Sequence, residues 1–385
     1  MDSSNNYNLM YEFINSYETL DKNIEKYKMT KKDHNNYILL KYNSVNVNEY
    51  NKEDVEKYNN LLRSFRGLIV NKNTNKIVCY GLDGKINNYD NFKLNNNFSD
   101  IIIEESIDGT LINLYYDEQW NISTKSCSDA KKSYWYSRYS FSELFLDAWK
   151  NYYDDFEELN KEYTYSFVLM HPNNQIVTYY KKPELRLLQI RDMKDFSFVE
   201  NNLKIDSPKK LDLICNNYEE LNNIVHSYSY ELEGLMLYSK DKKQRFKLQN
   251  NKYLNVKNIK GNYRKVIYRI IDLYNNDQDK LNELLEYFPH YNNNLNKFLY
   301  IKKRFIGSLF FLYNKTKKQY KYVEYPNHIS KYVYMLHNKY IENVKNKVKR
   351  SINKKDCMDL FESLDINEQI NVVNKHNNYI NTTEY

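Results

Sequence analysis

Ser106 and Asp108 stand in the stretch Glu104-Glu105-Ser106-Ile107-Asp108-Gly109-Thr110, where the apolar run Ile101-Ile102-Ile103 meets a polar turn. Gly109 offers the backbone freedom a tight turn needs, and β-branched neighbours favour strands on both sides. The stretch therefore reads as a hairpin whose second strand runs from Thr110 to Tyr116. A hydroxyl at such a turn becomes a nucleophile only with a base beside it, and nothing adjacent to Ser106 in the sequence supplies one. No lysine lies between Lys93 and Lys125 to offer an amine instead. Two cations interrupt apolar strand patterns: Arg66 ahead of Gly67-Leu68-Ile69-Val70, and Lys247 beside Phe246 and Leu248. A charge in such a place needs a partner or a ligand. Phosphate is one answer. A carboxylate neighbour is the other, for instance Glu233 with Lys247.

The elements that must position these groups follow from periodicity. Tyr7, Met10, Phe13, Ile14, Tyr17 and Leu20 predict a helix over 7–30, with short strands from Tyr37 to Val47 and a short helix from Val55 to Leu62. Strands at 66–70 and 76–80 flank the turn 71–75, and another strand covers 121–125. Phe141, Leu144, Phe145 and Trp149 give an inward helix face. Strands are expected at 163–169, 175–180 and 187–190, a helix at 219–226, and paired strands at 233–238 and 244–248. Beyond Tyr253 strand patterns stop, and helices are expected at 263–274, 281–287, 295–313, 329–348 and 358–364. The fold class is α+β with a domain boundary near 254–260. This gives one domain over 1–254 and an all-helical one over 255–385. The polar tail, 377–385, reads as frayed.

The charge is uneven. Thirteen Lys and Arg stand against two acids, Glu324 and Glu342, between Ile301 and Arg350, whereas the whole chain of 385 residues carries only +7. The body outside that segment is thus net negative by four. A basic helical appendage on a mildly acidic body points to a polyanion, nucleic acid before a membrane surface. Solubilising helix faces are the plainer alternative. Lys317, Lys318, Lys321, Lys331, Lys345, Lys347, Lys349 and Arg350 are the candidate phosphate contacts. Tyrosines interleave with them at Lys318-Gln319-Tyr320-Lys321-Tyr322 and Lys331-Tyr332-Val333-Tyr334, either to stack on bases or to fill the core. Abundant Tyr, Asn and Lys alone carry little weight, because A+T-rich coding produces the same bias. Cys79, Cys127, Cys215 and Cys357 are scattered, with no disulfide framework and no metal-ligand spacing, as expected of a cytoplasmic protein. No apolar run reaches transmembrane length and the amino terminus has no signal-peptide pattern, so no membrane partner is expected.

A resemblance rests on several stretches in order. Arg66-Gly67-Leu68-Ile69, Lys85-Ile86-Asn87-Asn88-Tyr89 and Ser106-Ile107-Asp108-Gly109-Thr110 look like the start of a ligase adenylation domain. Phe167-Val168-Leu169-Met170-His171-Pro172-Asn173-Asn174-Gln175-Ile176-Val177 resembles the motif Phe-Glu-x-x-x-Pro-x-Asn-Arg-Ile-Val, and Leu187 to Asp192 follows it. Glu233-Gly234-Leu235-Met236 and Phe246-Lys247-Leu248-Gln249 resemble two further motifs, the second being Lys-x-Lys. The chain thus resembles the covalent nucleotidyltransferase family of RNA and DNA ligases. Over nearly its whole length it is similar to the phage T4 RNA ligase 1 type, in which an adenylation domain precedes an all-helical domain concerned with tRNA.

The resemblance implies a ligase-type nucleotidyltransferase domain with antiparallel sheets. It also implies that Arg66, Lys85, Asp108, Gly109, Lys125, Glu233 and Lys247 surround a nucleotide or phosphate. It marks three departures. The family's reactive lysine, in Lys-x-Asp-Gly, falls at Ser106; its carboxylate falls at Val168, which offers Mg²⁺ no oxygen; its last lysine falls at Gln249. The expectation is a catalytically inactive RNA-ligase-like protein that binds RNA, specifically tRNA or cleaved tRNA, and could shield it from a nuclease. No catalytic residue, resident metal or cofactor is assigned. The alternatives are an active ligase using ATP and Mg²⁺ through an unconventional amine such as Lys125 or Lys247, and a protein-binding scaffold of unknown partner.

Overall fold

The computed structural model describes residues 3–14, 17–42, 61–134, 138–263, 265–321, 323, 326–348 and 350–383. The chain divides into two compact units, Met1–Asn258 and Ile259–Tyr385.

The first unit is built on three antiparallel sheets. Helices α1 (Ser3–Ile14) and α2 (Tyr17–Lys26) pack Met10, Phe13, Ile14 and Leu20 on the sheet β1 (Thr30–His34), β2 (Tyr37–Lys41), β3 (Arg66–Asn71) and β4 (Lys76–Cys79). The helix expected over 7–30 is thus two helices, and its last residue begins a strand. Lys28, at φ 47°, makes the reversal. The strand residues expected at 43–47 and the helix residues at 55–60 lie outside the described residues.

After α3 (Tyr89–Asn95), strand β5 (Ile102–Ser106) runs up to the Asp108 turn, and β6 (Thr110–Asp117) leaves it. The two do not form a hairpin. β5 pairs with β11 (Gly234–Tyr238), whereas β6 pairs with β7 (Gln119–Thr124) and β8 (Tyr163–Met170). The chain changes sheets at the turn, because Ile107 and Asp108 pair with neither partner and the Asp108 carboxylate takes donors from elsewhere. The second sheet runs β10 (Phe198–Val199), β9 (Glu184–Asp192), β8, β6, β7. Helix α4 (Phe141–Trp149) covers it, started by a Ser140–Glu143 capping box that satisfies two otherwise orphaned donors. Phe141, Leu144, Phe145 and Trp149 are all buried as their spacing requires. The strand expected at 175–180 does not form. The amides of Val177 and Thr178 go to Asp108 instead of to a partner strand.

The third sheet is β12 (Arg245–Gln249), β11, β5, with α5 (Tyr218–Ser227) against it. Several of the many asparagines do structural work: Asn88 caps α3, Asn217 caps α5 and Asn353 caps a helix of the second unit, each accepting from backbone amides. Helix α6 (Asn251–Lys260) follows β12 directly and covers the residues where the domain boundary is expected. Tyr253 and Val256 on it are fully buried.

The second unit is helical: α7 (Val266–Asn276), α8 (Gln278–Tyr287), α9 (Tyr291–Tyr313), α10 (Asn327–Lys345), α11 (Lys354–Glu362) and α12 (Ile366–Thr383). Its core includes Ile270, Leu284, Phe305, Leu309, Leu336 and Phe361. Helix α12 was not expected; it runs through the tail read as frayed as far as Thr383, and residues 384 and 385 lie outside the described residues. Ile370, Val373 and Ile380 recur at helical spacing and are buried.

Candidate functional site

Register in the third sheet brings three of the singled-out positions to one end. Ser106 on β5 and Gln249 on β12 both stand opposite Gly234, the first residue of the strand between them. Glu233 immediately precedes that residue and is only 5% exposed. Its carboxylate accepts from the Ser106 hydroxyl (2.9 Å) and Lys247 Nζ (2.7 Å) on Oε2, and from Gln249 Nε2 (3.2 Å) on Oε1. The Lys247–Glu233 pair is thus present. Burial alone would raise the Glu233 carboxyl; the charge and hydrogen bond of Lys247, the charge of Lys257 and the Ser106 hydroxyl outweigh it and hold it below the usual carboxylate range.

Sequence adjacency gave no base for Ser106, yet tertiary structure sets a carboxylate within hydrogen-bond reach. Cations around Glu233 lower its proton affinity, so it is a weak base. The hydroxyl is held as a donor to a charge.

Around this knot stands a set of cations. Arg66 opens β3 opposite Lys41, and its Nη1 is buried with no hydrogen-bond partner among the described residues. Burial, then the neighbouring charge of Arg245, lowers its guanidinium to about 10. Gly67 follows at φ +85°, and a Cβ there would stand 2.8 Å from Lys125 Cα. Only glycine permits that approach, and it lays the start of β3 on the Lys125 backbone. Burial lowers the Lys125 amine, and Arg66, Lys41, Lys257 and Lys247 lower it further. Lys85 is placed by its neighbour Ile86, whose amide donates to the Arg245 carbonyl at 2.8 Å and which bridges Phe246 of β12. Burial, followed by the charge of Lys247, brings its amine down to about 8. The structure brings Arg66, Lys85, Lys125, Glu233 and Lys247 into one electrostatic cluster.

Lys257 belongs to the cluster and was missed, because 254–258 read as a boundary. The signal was the pair Tyr253 and Lys257, one helical turn apart. The amine lies 5.5 Å from the Tyr253 ring centroid, and the Tyr253 hydroxyl donates to Asp108 Oδ1 at 2.7 Å. Helix α6 is thereby docked on the turn, and the docking carries Lys257 to Glu233.

Asp108 itself is fully engaged. Oδ2 accepts from the amides of Val177 and Thr178, both at 2.8 Å, and its carbonyl accepts from the Tyr180 hydroxyl at 2.7 Å. It organises the turn and has no carboxylate oxygen left without a protein donor. Gly109 stands where a Cβ would meet Val168 Cγ1 at 2.5 Å. The valine methyl therefore fills the space beside the turn. Among the described residues no group of three His, Cys, Asp or Glu side chains could hold a metal ion. Both Glu233 oxygens are taken by protein donors and Val168 has none to give, so the residues do not fit a resident divalent cation.

In the second unit the candidate phosphate contacts separate. Lys331 is ion-paired with Glu368, and Arg350 with the buried Asp356 at 2.7 Å. Lys317 lies 4.3 Å from the Tyr334 ring centroid. Lys318, Lys321, Lys345 and Lys347 are exposed and make no ion pair among the described residues; Lys349 lies outside them. Of the interleaved tyrosines, Tyr332 is core, Tyr320 and Tyr334 are exposed, and Tyr322 lies outside the described residues. No helix is long and apolar enough to cross a membrane among the described residues.

No family model matches the chain. It is 26% identical over 256 residues to an immediate-early protein ICP-46 homolog of Invertebrate iridescent virus 3, covering 62% of this chain and 57% of the relative. It is 32% identical over 98 residues to an RNA ligase of Rhodothermus phage RM378, covering 23% of this chain and 22% of the relative. The chain thus spans a little over half of one curated relative and about a fifth of the other. Among solved structures, a putative ATP-dependent DNA ligase from Aquifex aeolicus aligns over 84% of this chain and 88% of its own, at 15% identity and a TM-score of 0.43. Over part of its length the chain is thus similar in sequence to an RNA ligase, and its structure has antiparallel sheets followed by a helical region.

Proposed function

We propose that this protein binds RNA through a ligase-type site that no longer forms a covalent nucleotidyl adduct. The observation that carries this reading is the wrapped Glu233. Where the resemblance expects a reactive lysine, a serine donates to a carboxylate already neutralised by Lys247. Among the described residues the cations that remain, Arg66, Lys85, Lys125 and Lys257, outnumber the carboxylates near them, and Arg66 Nη1 has no acceptor there. A bound phosphate supplies what they are missing. The basic helical unit extends the same preference, and tRNA or cleaved tRNA is the ligand we assign, in a reducing, cytoplasmic setting that suits four free cysteines. Protection of that RNA from a nuclease is the role we favour.

The test has two arms. Incubation with radiolabelled ATP and Mg²⁺ leaves no label on the denatured protein; a stable adduct overturns the reading. Binding of tRNA weakens steeply as salt rises, as phosphate contacts require. Absent or salt-insensitive binding overturns the RNA half.

One observation favours a second reading, adenylyl transfer through a different amine. Lys247 is tied to Glu233, but the Lys85 amine is lowered to about 8 and loses its proton more easily than an ordinary lysine. In that reaction its nitrogen would bond to the α-phosphorus of ATP, the bond to the β-phosphate oxygen would break, pyrophosphate would leave, and the amine proton would pass to water. A label lost in Lys85→Arg would establish it.

A further inference from the structure

Helix α9 does not stop cleanly at its carboxyl end. Residues Asn314–Lys318 continue it with π-type turns. The amides of Gln319 and Lys321 return to the carbonyls of Asn314 (3.0 Å) and Lys315 (2.9 Å). This closure sets Lys315, Lys317 and Lys318 at the negative end of a long helix dipole. It also turns Tyr320 outward, 88% exposed, at φ 53°. That left-handed conformation at a helix end belongs to glycine or asparagine; a tyrosine adopts it only under strain. Nothing is gained in the core to offset the strain, because the ring lies in water.

Two more rings are exposed nearby in the same unit. Phe311, in the last turn of α9, is 56% exposed, and Tyr334 on α10 is 50% exposed. Each has a lysine amine by its ring: Lys315 at 5.7 Å from the Phe311 centroid and Lys317 at 4.3 Å from that of Tyr334. The contact of Lys317 with Tyr334 ties the end of α9 to α10. From Ile301 to Lys321 the sequence has seven cations and no acid. Exposed rings beside lysine amines suit a ligand that has flat apolar faces and negative charges along one strand.

We propose that this end of the second unit is a stacking platform for unpaired bases of RNA. Tyr320, Phe311 and Tyr334 take the faces of bases, and Lys315, Lys317 and Lys318 take the phosphates between them. The inference rests on the RNA-binding reading above and makes it more specific. A duplex keeps its base faces inside and meets only the lysines, so the exposed rings are of use only to a single strand. An acidic protein partner would use the lysines but would leave the strained Tyr320 without a purpose.

The experiment measures fluorescence anisotropy of full-length protein with a short labelled oligouridine and with a blunt RNA hairpin at one salt concentration. Tyr320→Leu, Phe311→Leu and Tyr334→Leu each weaken oligouridine binding about tenfold and leave hairpin binding within about twofold. Lys318→Gln weakens both. Tyr320→Gly adds a readout of strain: it raises the melting temperature while lowering oligouridine affinity. If the leucine variants bind oligouridine like the parent while Lys318→Gln weakens it, the platform is wrong and RNA binding through phosphates stands. If the parent binds neither RNA but retains polyglutamate, the RNA reading itself falls.

Discussion

A carboxylate that accepts from Ser106, Lys247 and Gln249 together ties β5 to β12, and under the proposed function it competes with the bound anion for the same cations. Glu233→Ala therefore acts with opposite signs on two measurements. Removing one partner of a buried pair leaves Lys247 uncompensated, and with that lysine partly exposed the loss is about 2 kcal/mol, read from urea unfolding. Pyrophosphate affinity rises about tenfold in the same variant, because a negative charge has left the basin. A variant that loses both stability and affinity would show that Glu233 helps to bind the anion.

The pH dependence follows from the same residues. Lys85 in the folded chain titrates near 8, below the ordinary 10.5. Between those values the unfolded chain holds a proton that the folded one has released, so stability rises with pH there. Anion binding runs the other way, since it needs the charged amine. Calorimetry with pyrophosphate shows affinity falling as pH rises through about 8, and Lys85→Arg flattens that profile. The Glu233 contribution to stability is present above the ordinary carboxylate value and is lost as pH falls through its own lowered one.

At the scale of elements, the site depends on two close approaches. The first is Gly67 on the Lys125 backbone. Gly67→Ala puts a methyl group into that backbone at a positive φ, destabilises the first unit by about 1–3 kcal/mol and lowers pyrophosphate affinity by moving Lys125 away from Arg66. The second is α6 on the Asp108 turn. Tyr253→Phe leaves Asp108 Oδ1 without its donor, costs about 1–2 kcal/mol by urea unfolding, and weakens anion binding through the displacement of Lys257. If Tyr253→Phe loses stability at unchanged anion affinity, Lys257 is held by other contacts.

At the scale of the molecule, the surplus of positive charge is local, and not every cation within it is available. Lys318→Gln and Lys321→Gln each reduce the slope of log affinity for tRNA against log salt by about one. Lys331→Gln and Arg350→Gln leave the slope nearly unchanged and lower the stability of the second unit, because those side chains are committed to Glu368 and Asp356. Equal effects from all four would mean that the ion pairs open on binding.

Much of this was legible in the amino-acid order. Period-two and period-3.6 patterns located β3, β8, β11, β12, α4 and α5, since side-chain burial repeats with the backbone geometry of each element. Motif order singled out Arg66, Lys85, Lys125, Glu233 and Lys247, which fold into one cluster, and the Glu233–Lys247 pair was anticipated. Local pattern could not reveal strand partners. β5 and β6 read as a hairpin because they are adjacent, but pairing depends on which distant edge is free, and β5 found β11, well over a hundred residues away. The failed strand at 175–180 has the same origin, because a carboxylate distant in sequence takes its amides. Lys257, the base-like neighbour of Ser106 and the occupancy of Asp108 all arise from long-range contacts. Sequence determined which residue types stand at the motif positions, above all that no amine stands at 106. Tertiary structure decided what those residues face, because hydrogen-bond and charge partners are set by distance in space, which the chain order does not encode.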